Sequence, residues 1–227
     1  GSDGVTACRT VGDVKQAIER LVGSVNGLGQ INEGVLVQEF LDGVEYVIDS
    51  VSRDGVLIVV GVCVYDRRPT NGAGFVLHGQ SLVGSSDPVV APLVAYAEQV
   101  LDALDIKLGP AHMVVKMCPA ALGADPTPCL VEVGARCHGA EGFWMTIADQ
   151  ACHANQANVA LDALVDDPRY DDLPLLPPPT LHAAACLKYL LTHKSGVLDG
   201  VDAAALASVT SLPSYQGHAI ILDLGTH

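Results

Sequence analysis

Basic residues are scarce in this chain of 227 residues, which has 12 Lys and Arg against 26 Asp and Glu. The resulting net charge of −14 argues against nucleic acid or an anionic membrane surface as the main partner. It leaves room for a local basic or metal-bridged pocket for a phosphate ligand. Hydrophobic residues make up 49% of the chain, which excludes a disordered chain and permits a sizeable buried core.

No two of the seven cysteines form a CxxC pair, and their number is odd. This pattern argues against a disulfide framework and predicts a reduced, cytoplasmic protein. Cys118, Cys129, Cys137 and His138 could be combined into a zinc site, but their spacing matches no ligand pattern. Buried, inert thiols are therefore the preferred interpretation.

Long hydrophobic runs and an early methionine are also missing. The longest apolar stretch, residues 56–65 with one glycine, is roughly half of what a membrane span needs. No signal peptide is visible. The first methionine is Met113 and the chain opens with Gly1-Ser2, so we expect a part of a longer protein.

Hydrophobic periodicity predicts an α+β fold with antiparallel hairpins, and not a βαβ Rossmann arrangement. The expected strands are 4–8, 35–40, 44–50, 56–64, 75–80, 112–118, 129–136, 181–191 and 219–224, and the expected helices are 11–25, 88–104, 144–165 (broken near Asp149) and 202–207. Asp42-Gly43 and Asp54-Gly55 are turn signals that make the strands 35–64 a meander. Residues 66–74 resemble a hinge, and the prolines of 174–179 predict a stiff linker.

Two segments have the composition of a nucleotide site. Residues 1–5 form a Gly/Ser turn whose backbone N–H groups suit phosphate oxygens, although a frayed end or tag remnant explains them equally. Residues 37–46 present backbone groups and carboxylates at a strand end, which suits an adenine and a ribose. A plain hairpin with solvated acids is the alternative.

Charged side chains also occur on two neighbouring strands. By alternation His112, Val114 and Lys116 share one face of their strand, and Glu132 shares a face with Arg136 on the next. Buried charges there would need a metal or phosphate partner, whereas an exposed Glu132–Arg136 ion pair would need none. In the turn 136–142, His138 is either a catalytic base or a structural histidine.

In this order and spacing, five segments resemble the ATP-grasp superfamily of carboxylate–amine ligases, and most of all its L-amino-acid (dipeptide) ligase branch. They are GSDGVTAC, VLVQEFLDGVEYVIDSVS, DRRPTNGAGFV, LGPAHMVVK and PCLVEVGARCHGAEG. The likeness extends to about Leu164 and more loosely beyond. It implies a lid subdomain at 1–66 and a C-terminal catalytic subdomain with a trailing α/β extension at 67–227. The N-terminal domain of the family would lie upstream.

The resemblance implies a role for each matching position. For the nucleotide, Ser2 and Gly4 would belong to the loop over the ATP phosphates, the adenine hinge would consist of Gln38, Glu39, Phe40 and Leu41, and Glu45 would hold the ribose. For the reaction, Glu132 would ligate Mg²⁺ and Arg136 would stabilise the acyl phosphate. His78 would bind the substrate. The family uses ATP to phosphorylate a carboxylate, which an amine then attacks. Metal and cationic groups must meet the phosphate charge, and a lid must exclude water.

The sequence departs from the family where a second metal ligand is expected. Val114 takes the place of that carboxylate, and Gly134 that of a third ligand. Glu141 could substitute for the acid, or Lys116 could neutralise phosphate directly. The resemblance implies that the family's phosphate-binding lysines would lie upstream of residue 1.

The resulting prediction is an ATP-dependent ligase that joins an amine to a small-molecule amino acid or carboxylate substrate and is inactive as this fragment. The alternative is a degenerate ATP-grasp domain that binds nucleotide or partners without catalysis. The assembly state is open, with a homodimer among the options.

Overall fold

A computed structural model describes residues 4–27, 29–70, 73–119, 125–191 and 196–220 of the chain. Its elements are α1 (Val11–Leu21), β1 (Val44–Arg53), β2 (Val56–Thr70), β3 (Ala73–Val83), α2 (Val90–Ala103), β4 (Gly109–Cys118), β5 (Thr127–Gly134), α3 (Phe143–Cys152), α4 (Gln156–Leu164), β6 (Cys186–Lys188) and α5 (Ala203–Thr210), with 3₁₀ turns at Ala140–Gly142 and Pro168–Tyr170. The strands form one antiparallel sheet in the order β5-β4-β1-β2-β3-β6.

Helices cover both faces of this sheet because its central strands are apolar on both sides. On one face α2 packs its buried residues against Ile48 of β1 and Met113 of β4. On the other face Trp144 of α3 packs with Val47 and Val114. Further along the same face, α4 contributes Val159, Ala160 and Ala163 to a third cluster. The predicted α+β class is confirmed.

The turn at Asp54-Gly55 is confirmed as the β1–β2 hairpin. Both residues have positive φ, 52° and 80°, as a two-residue turn of this kind requires. The predicted strand at 35–40 is wrong, and so is its hairpin through Asp42-Gly43. Both edges of β1 are already paired, with β2 and with β4, so no edge is left for residues 35–40.

The hinge expected at 66–74 is also wrong over its first half, because β2 continues to Thr70. Register shifts at Asp66/Arg67 and around Pro69 let the strand continue past a residue that cannot donate a backbone hydrogen bond. The predicted boundary between residues 66 and 67 falls inside β2, so residues 44–66 lie in the same sheet as β4 and β5.

The N-terminal helix begins as predicted but ends earlier, at Leu21. Thr10 Oγ1 accepts a hydrogen bond from the Asp13 N–H at 3.1 Å, and Asp13 Oδ2 accepts one from the Thr10 N–H at 2.8 Å. This capping box satisfies two N–H groups that a helix leaves unpaired. No residue of α1 is buried.

Four other predicted elements are divided, shortened or without a strand partner. The long helix at 144–165 is divided into two helices, because His153 adopts a left-handed conformation after Cys152, a few residues beyond the break expected near Asp149. The strand at 181–191 reduces to β6, which pairs with three residues of β3. Residues 4–8 and 219–220 have no strand partner, and 221–224 lie outside the described residues.

The proline segment is packed against the sheet. The N–H of Val59 donates to Leu175 O at 2.8 Å, and the N–H of Ser85 donates to Pro178 O at 3.1 Å. A side chain at Gly84 would lie 2.4 Å from Pro179 O, so this contact requires glycine. In the described part of the chain, every helix is too short or too polar to cross a lipid bilayer.

Candidate functional site

The sheet face under α3 carries a group of polar side chains. Val47 of β1 pairs with Val114 of β4, which pairs with Glu132 of β5, and both valines pack with Trp144. Residues two positions away along a strand share its face. Glu45 and Asp49 of β1, and His112 and Lys116 of β4, therefore lie on this polar face with Glu132.

The segment Gln38–Leu41 lies across this polar face. Gln38 Nε2 donates to Val131 O of β5 at 3.4 Å, and Lys116 Nζ donates to Leu41 O at 2.8 Å. The Phe40 ring lies 5.5 Å from Lys116 Nζ and 6.2 Å from the Phe75 ring of β3. The segment predicted as an adenine hinge is thus joined to the strands that carry Lys116 and Glu132.

Gly43 brings this segment onto β4. Its φ is +128°, and a side chain at this position would lie 2.1 Å from Met117 O. Only glycine permits so close an approach of two backbones.

Glu45 is already paired with a cation. Arg67 Nε donates to Glu45 Oε1 at 2.6 Å, and Arg67 Nη1 donates to Phe75 O at 2.9 Å. The Glu45 side chain is only 9% exposed. A ribose would therefore meet a carboxylate that Arg67 holds in place.

The position expected to hold a metal has one carboxylate. Glu132 is exposed, whereas its partner Val114 is 2% exposed and belongs to the core around Trp144. Gly134 contributes no side chain, and the space beside it contains the Arg136 side chain at 3.4 Å. The side chain of Glu141 lies outside the described residues.

Arg136 follows β5 in a tight turn. Its N–H donates to Gly134 O and its Nη1 donates to Cys137 O, both at 2.8 Å. The side chain is exposed. Glu132 and Arg136 are both described and form no ion pair with each other, which is at odds with the exposed ion pair considered from the sequence.

A buried Asp–His–His cluster lies beside these residues. Asp49 Oδ1 is 2.7 Å from His112 Nδ1, and Asp49 Oδ2 is 2.7 Å from His138 Nδ1. The three side chains are 2%, 7% and 5% exposed, respectively. Burial acts to raise the pKa of Asp49, but the hydrogen bonds to both imidazoles outweigh it, and the pKa lies below its ordinary value.

Two glutamines complete the surroundings of His138. Gln156 Oε1 accepts from the His138 N–H at 2.7 Å, while its Nε2 donates to Ser50 O at 3.0 Å and to Ala111 O at 2.9 Å. The imidazole stacks on Trp144, with ring centres 5.3 Å apart. Gln80 Nε2 lies 3.5 Å from His138 Nε2, and Gln80 Oε1 is buried without a partner.

Two other predicted site residues, His78 and Gly4, contact residues outside the Asp49–His112–His138 cluster. His78 Nε2 is 2.7 Å from Thr70 Oγ1. Gly4 is exposed and packs near Leu21 of α1, and Ser2 lies outside the described residues. Within the described chain, the His, Cys and acidic side chains that converge at metal-binding distance are Asp49, His112 and His138, not the cysteine combination.

Comparison with known proteins connects this geometry to a family. No family model matches the sequence. Dapdiamide A synthase of Enterobacter agglomerans is 32% identical over 139 residues, which are 61% of this chain and 31% of that protein. The crystal structure of an L-amino acid ligase from Bacillus licheniformis superposes with a TM-score of 0.66 at 20% identity, covering 82% of this chain and 43% of that one. This chain has the ATP-grasp fold.

A second ATP-grasp structure agrees with the first. The N5-carboxyaminoimidazole synthase from Aspergillus clavatus, solved with ADP and 5-aminoimidazole ribonucleotide, superposes with a TM-score of 0.51 at 14% identity, over 78% of this chain and 41% of that chain. The resemblance to ATP-grasp carboxylate–amine ligases is thus confirmed. The chain spans about a third of the curated relative and under half of either structure.

Sequence reasoning missed the Asp49–His112–His138 cluster and both glutamines. One signal was present, because Asp49 interrupts an apolar strand (VEYVIDSVS) at a position that faces the core. His138 is 89 residues away from Asp49, and no periodicity connects a loop residue to a strand at that distance. The roles of the predicted ATP-grasp site residues and the division into subdomains stay predictions.

Proposed function

We propose that this chain is part of an ATP-dependent carboxylate–amine ligase whose nucleotide binds on the polar face of the sheet. The observation that carries the proposal is the segment Gln38–Leu41 lying across β4 and β5, with Lys116 bound to Leu41 O. The ATP-grasp fold and the likeness to dapdiamide A synthase and to an L-amino acid ligase support it.

The adenine would lie against the segment that the sequence singles out. Phe40 is 59% exposed, and its ring is beside Lys116, so it offers a flat apolar surface next to a cation. Backbone N–H and C=O groups of Glu39 and Leu41 would recognise the base edge. Glu45, oriented by Arg67, would accept hydrogen bonds from the ribose hydroxyls.

Cationic side chains would stabilise the phosphates and the acyl phosphate. Lys116 lies on the polar face as a point charge, and Arg136 extends from the adjacent turn as a bidentate donor. Such groups lower the barrier when they are in place before charge develops on the transferred phosphoryl group. His78 would contact the substrate carboxylate or amine.

Magnesium fits this site with a minimal donor set. Mg²⁺ typically takes one or two carboxylates together with phosphate oxygens, and Glu132 is the exposed carboxylate on the polar face. When bound, the ion would neutralise charge on the phosphoryl oxygens. Glu132 would hold it, and Val114 offers no ligand.

A second candidate function is nucleotide or partner binding without chemistry. Val114 is not merely apolar but part of the core with Val47 and Trp144, so the second metal position is filled by packed hydrocarbon. A domain that has lost this carboxylate could keep the adenine segment. The parent ligase and this degenerate form differ in whether Mg²⁺ strengthens nucleotide binding.

Calorimetric titration of the chain with ADP, with and without Mg²⁺, tests both candidates. We expect Phe40→Ala to weaken ADP binding by roughly 5- to 150-fold, because stacking a base on an aromatic ring is worth about 1–3 kcal/mol. Leu36→Ala is the matched control, since Leu36 is in the same segment and 82% exposed. Equal binding by both variants would contradict the adenine assignment, and absence of ADP binding to wild type would overturn the ligase proposal and the nucleotide-binding form of the second candidate.

The effect of Mg²⁺ on ADP affinity then distinguishes the ligase from the degenerate domain. Binding that strengthens with Mg²⁺ and loses this gain in Glu132→Gln supports the ligase. ADP binding whose affinity is the same with and without Mg²⁺ supports the degenerate domain. Glu19→Gln on the exposed helix α1 controls for the loss of one negative charge.

A further inference from the structure

We propose that Asp49, His112 and His138 form a binding site for a divalent transition metal, with the carboxylate and both Nδ1 atoms as ligands. One candidate ligand atom from each residue lies within 4.8 Å of the others. Two imidazoles and one carboxylate are a donor set that suits Zn²⁺ and Fe²⁺ and is poorly suited to Mg²⁺. The site is separate from the exposed carboxylate of Glu132 and does not depend on the proposed ligase activity.

The charge balance of the cluster favours a cation. Asp49 is 2% exposed, and within the described chain its ion-pair partners are the two imidazoles, with no lysine or arginine among them. An isolated buried carboxylate is costly unless a cation compensates it. A metal bound between the carboxylate and the two rings would supply that charge.

Gln80 gives an independent indication. Its amide is fully buried, its Nε2 lies 3.5 Å from His138 Nε2, and its Oε1 has no partner. The oxygen and nitrogen of a side-chain amide are interchangeable by a 180° turn. After that turn Oε1 faces His138 Nε2 and is satisfied only when Nε2 carries a hydrogen.

A proton on Nε2 leaves Nδ1 with a lone pair or a second proton. In metal sites a ligating histidine typically donates its other N–H to an oxygen acceptor, which fixes the tautomer and the ring orientation. Gln80 is placed to be that acceptor for His138. In that orientation His138 Nδ1 is free to bind an ion while the Nε2–H donates to Gln80 Oε1.

The ion fits after a small movement. Two ligands at the tetrahedral angle about one Zn²⁺ are separated by about 3.4 Å when each bond is about 2.1 Å. The present Nδ1···O separations are 2.7 Å, so each ring needs to move away from the carboxylate by about 0.7 Å. The competing occupant is a proton on Nδ1 of His138, which would make that ring an imidazolium.

The site would join three parts of the fold. Asp49 is on β1, His112 is on β4, and His138 is in the turn after β5, two residues beyond Arg136. A metal there would tie the turn that carries Arg136 to the centre of the sheet. Metal binding should therefore raise the midpoint of thermal unfolding.

Zinc titration of the chelator-treated full chain, followed by calorimetry and thermal unfolding, tests the proposal. We expect one tight Zn²⁺ per chain, retained in millimolar Mg²⁺, and a higher unfolding midpoint. His138→Gln should weaken this binding by at least about 100-fold, because loss of an outer-shell partner alone costs 10- to 100-fold. The controls are His182→Gln, in the exposed His153–His182 pair, and Cys129→Ser, which should both keep the affinity.

Several outcomes would overturn the site. They are absence of stoichiometric Zn²⁺, unchanged affinity in His138→Gln, or loss of binding in either control. If His138→Gln does not fold, ¹⁵N spectra of the wild-type histidines decide: Nδ1 of His112 and His138 must shift with one equivalent of Zn²⁺. Both ring nitrogens of His138 still protonated at that point would identify an imidazolium instead. ADP binding can succeed or fail independently of all these results.

Discussion

Gln156 and His138 connect the turn after β5 to the centre of the sheet. Gln156 Oε1 accepts the His138 N–H at 2.7 Å, while the Gln156 amide nitrogen donates to backbone carbonyls of both β1 and β4. Gln156 is 3% exposed, so these bonds do not compete with water. One helix N-terminal side chain thereby determines where the turn with Arg136 lies.

Gln156→Leu should therefore destabilise the fold. The substitution keeps the side-chain size but leaves buried backbone groups of Ser50, Ala111 and His138 without this partner. We expect a loss of about 2–4 kcal/mol in the free energy of unfolding, measured by urea denaturation. Gln150→Leu, on the exposed side of α3, should change it by less than about 0.5 kcal/mol. Equal losses in the two variants would contradict a specific role for Gln156.

Gly43→Ala should be damaging for a steric reason. The new Cβ would lie 2.1 Å from Met117 O, and φ is +128°. The clash is relieved only if the segment 38–43 moves away from β4. We therefore expect the free energy of unfolding to fall by about 1–3 kcal/mol or more, and ADP binding to weaken. Gly34→Ala is the control, because nothing lies within 4 Å of its Cβ position. A Gly43→Ala variant as stable as Gly34→Ala would show that the two backbones do not meet.

The cysteines should differ in their reactivity. Burial raises the pKa of Cys152 to about 11, and burial together with a hydrogen bond to Cys129 raises that of Cys118 to about 11. At pH 8 only about one thiol in a thousand is then ionised, and the thiolate is the nucleophile. Iodoacetamide labelling followed by mass spectrometry should find both slow at pH 8 and faster toward pH 11, with the exposed Cys186 as the reference. Rapid labelling of Cys152 at pH 8 would be inconsistent with its burial.

The chain by itself should form no amide bond above background. Val114 leaves Glu132 as the lone carboxylate of its strand pair, which is a weak arrangement for binding Mg²⁺ and nucleotide phosphates together. The measurement is ADP release and product mass after incubation with Mg-ATP and amino acids, with the heat-denatured chain as the control. Turnover by the native chain would refute this prediction and would favour the ligase over the degenerate domain.

Local sequence signals predicted the features that depend on neighbouring residues. The start of the first helix at Val11, the turn at Asp54-Gly55 and the alternation of His112, Val114 and Lys116 all follow from local backbone and side-chain geometry. The prediction of a strand at 35–40 was wrong because strand pairing depends on residues far away in the chain. Both edges of β1 are paired, one with β2 and the other with β4. The hinge expected at 66–74 failed over its first half because bulges in the β2–β3 ladder accommodate Pro69.

The sequence by itself determined the fold class, the resemblance to ATP-grasp ligases and the polar pattern of β4 and β5, because these depend on composition, periodicity and ordered motifs. Only the tertiary structure decided which charges meet. Asp49 contacts His112 across 63 residues and His138 across 89, and Glu45 contacts Arg67 across a strand pair. Such contacts depend on strand order and register, which involve the whole sheet, and so no local pattern can specify them.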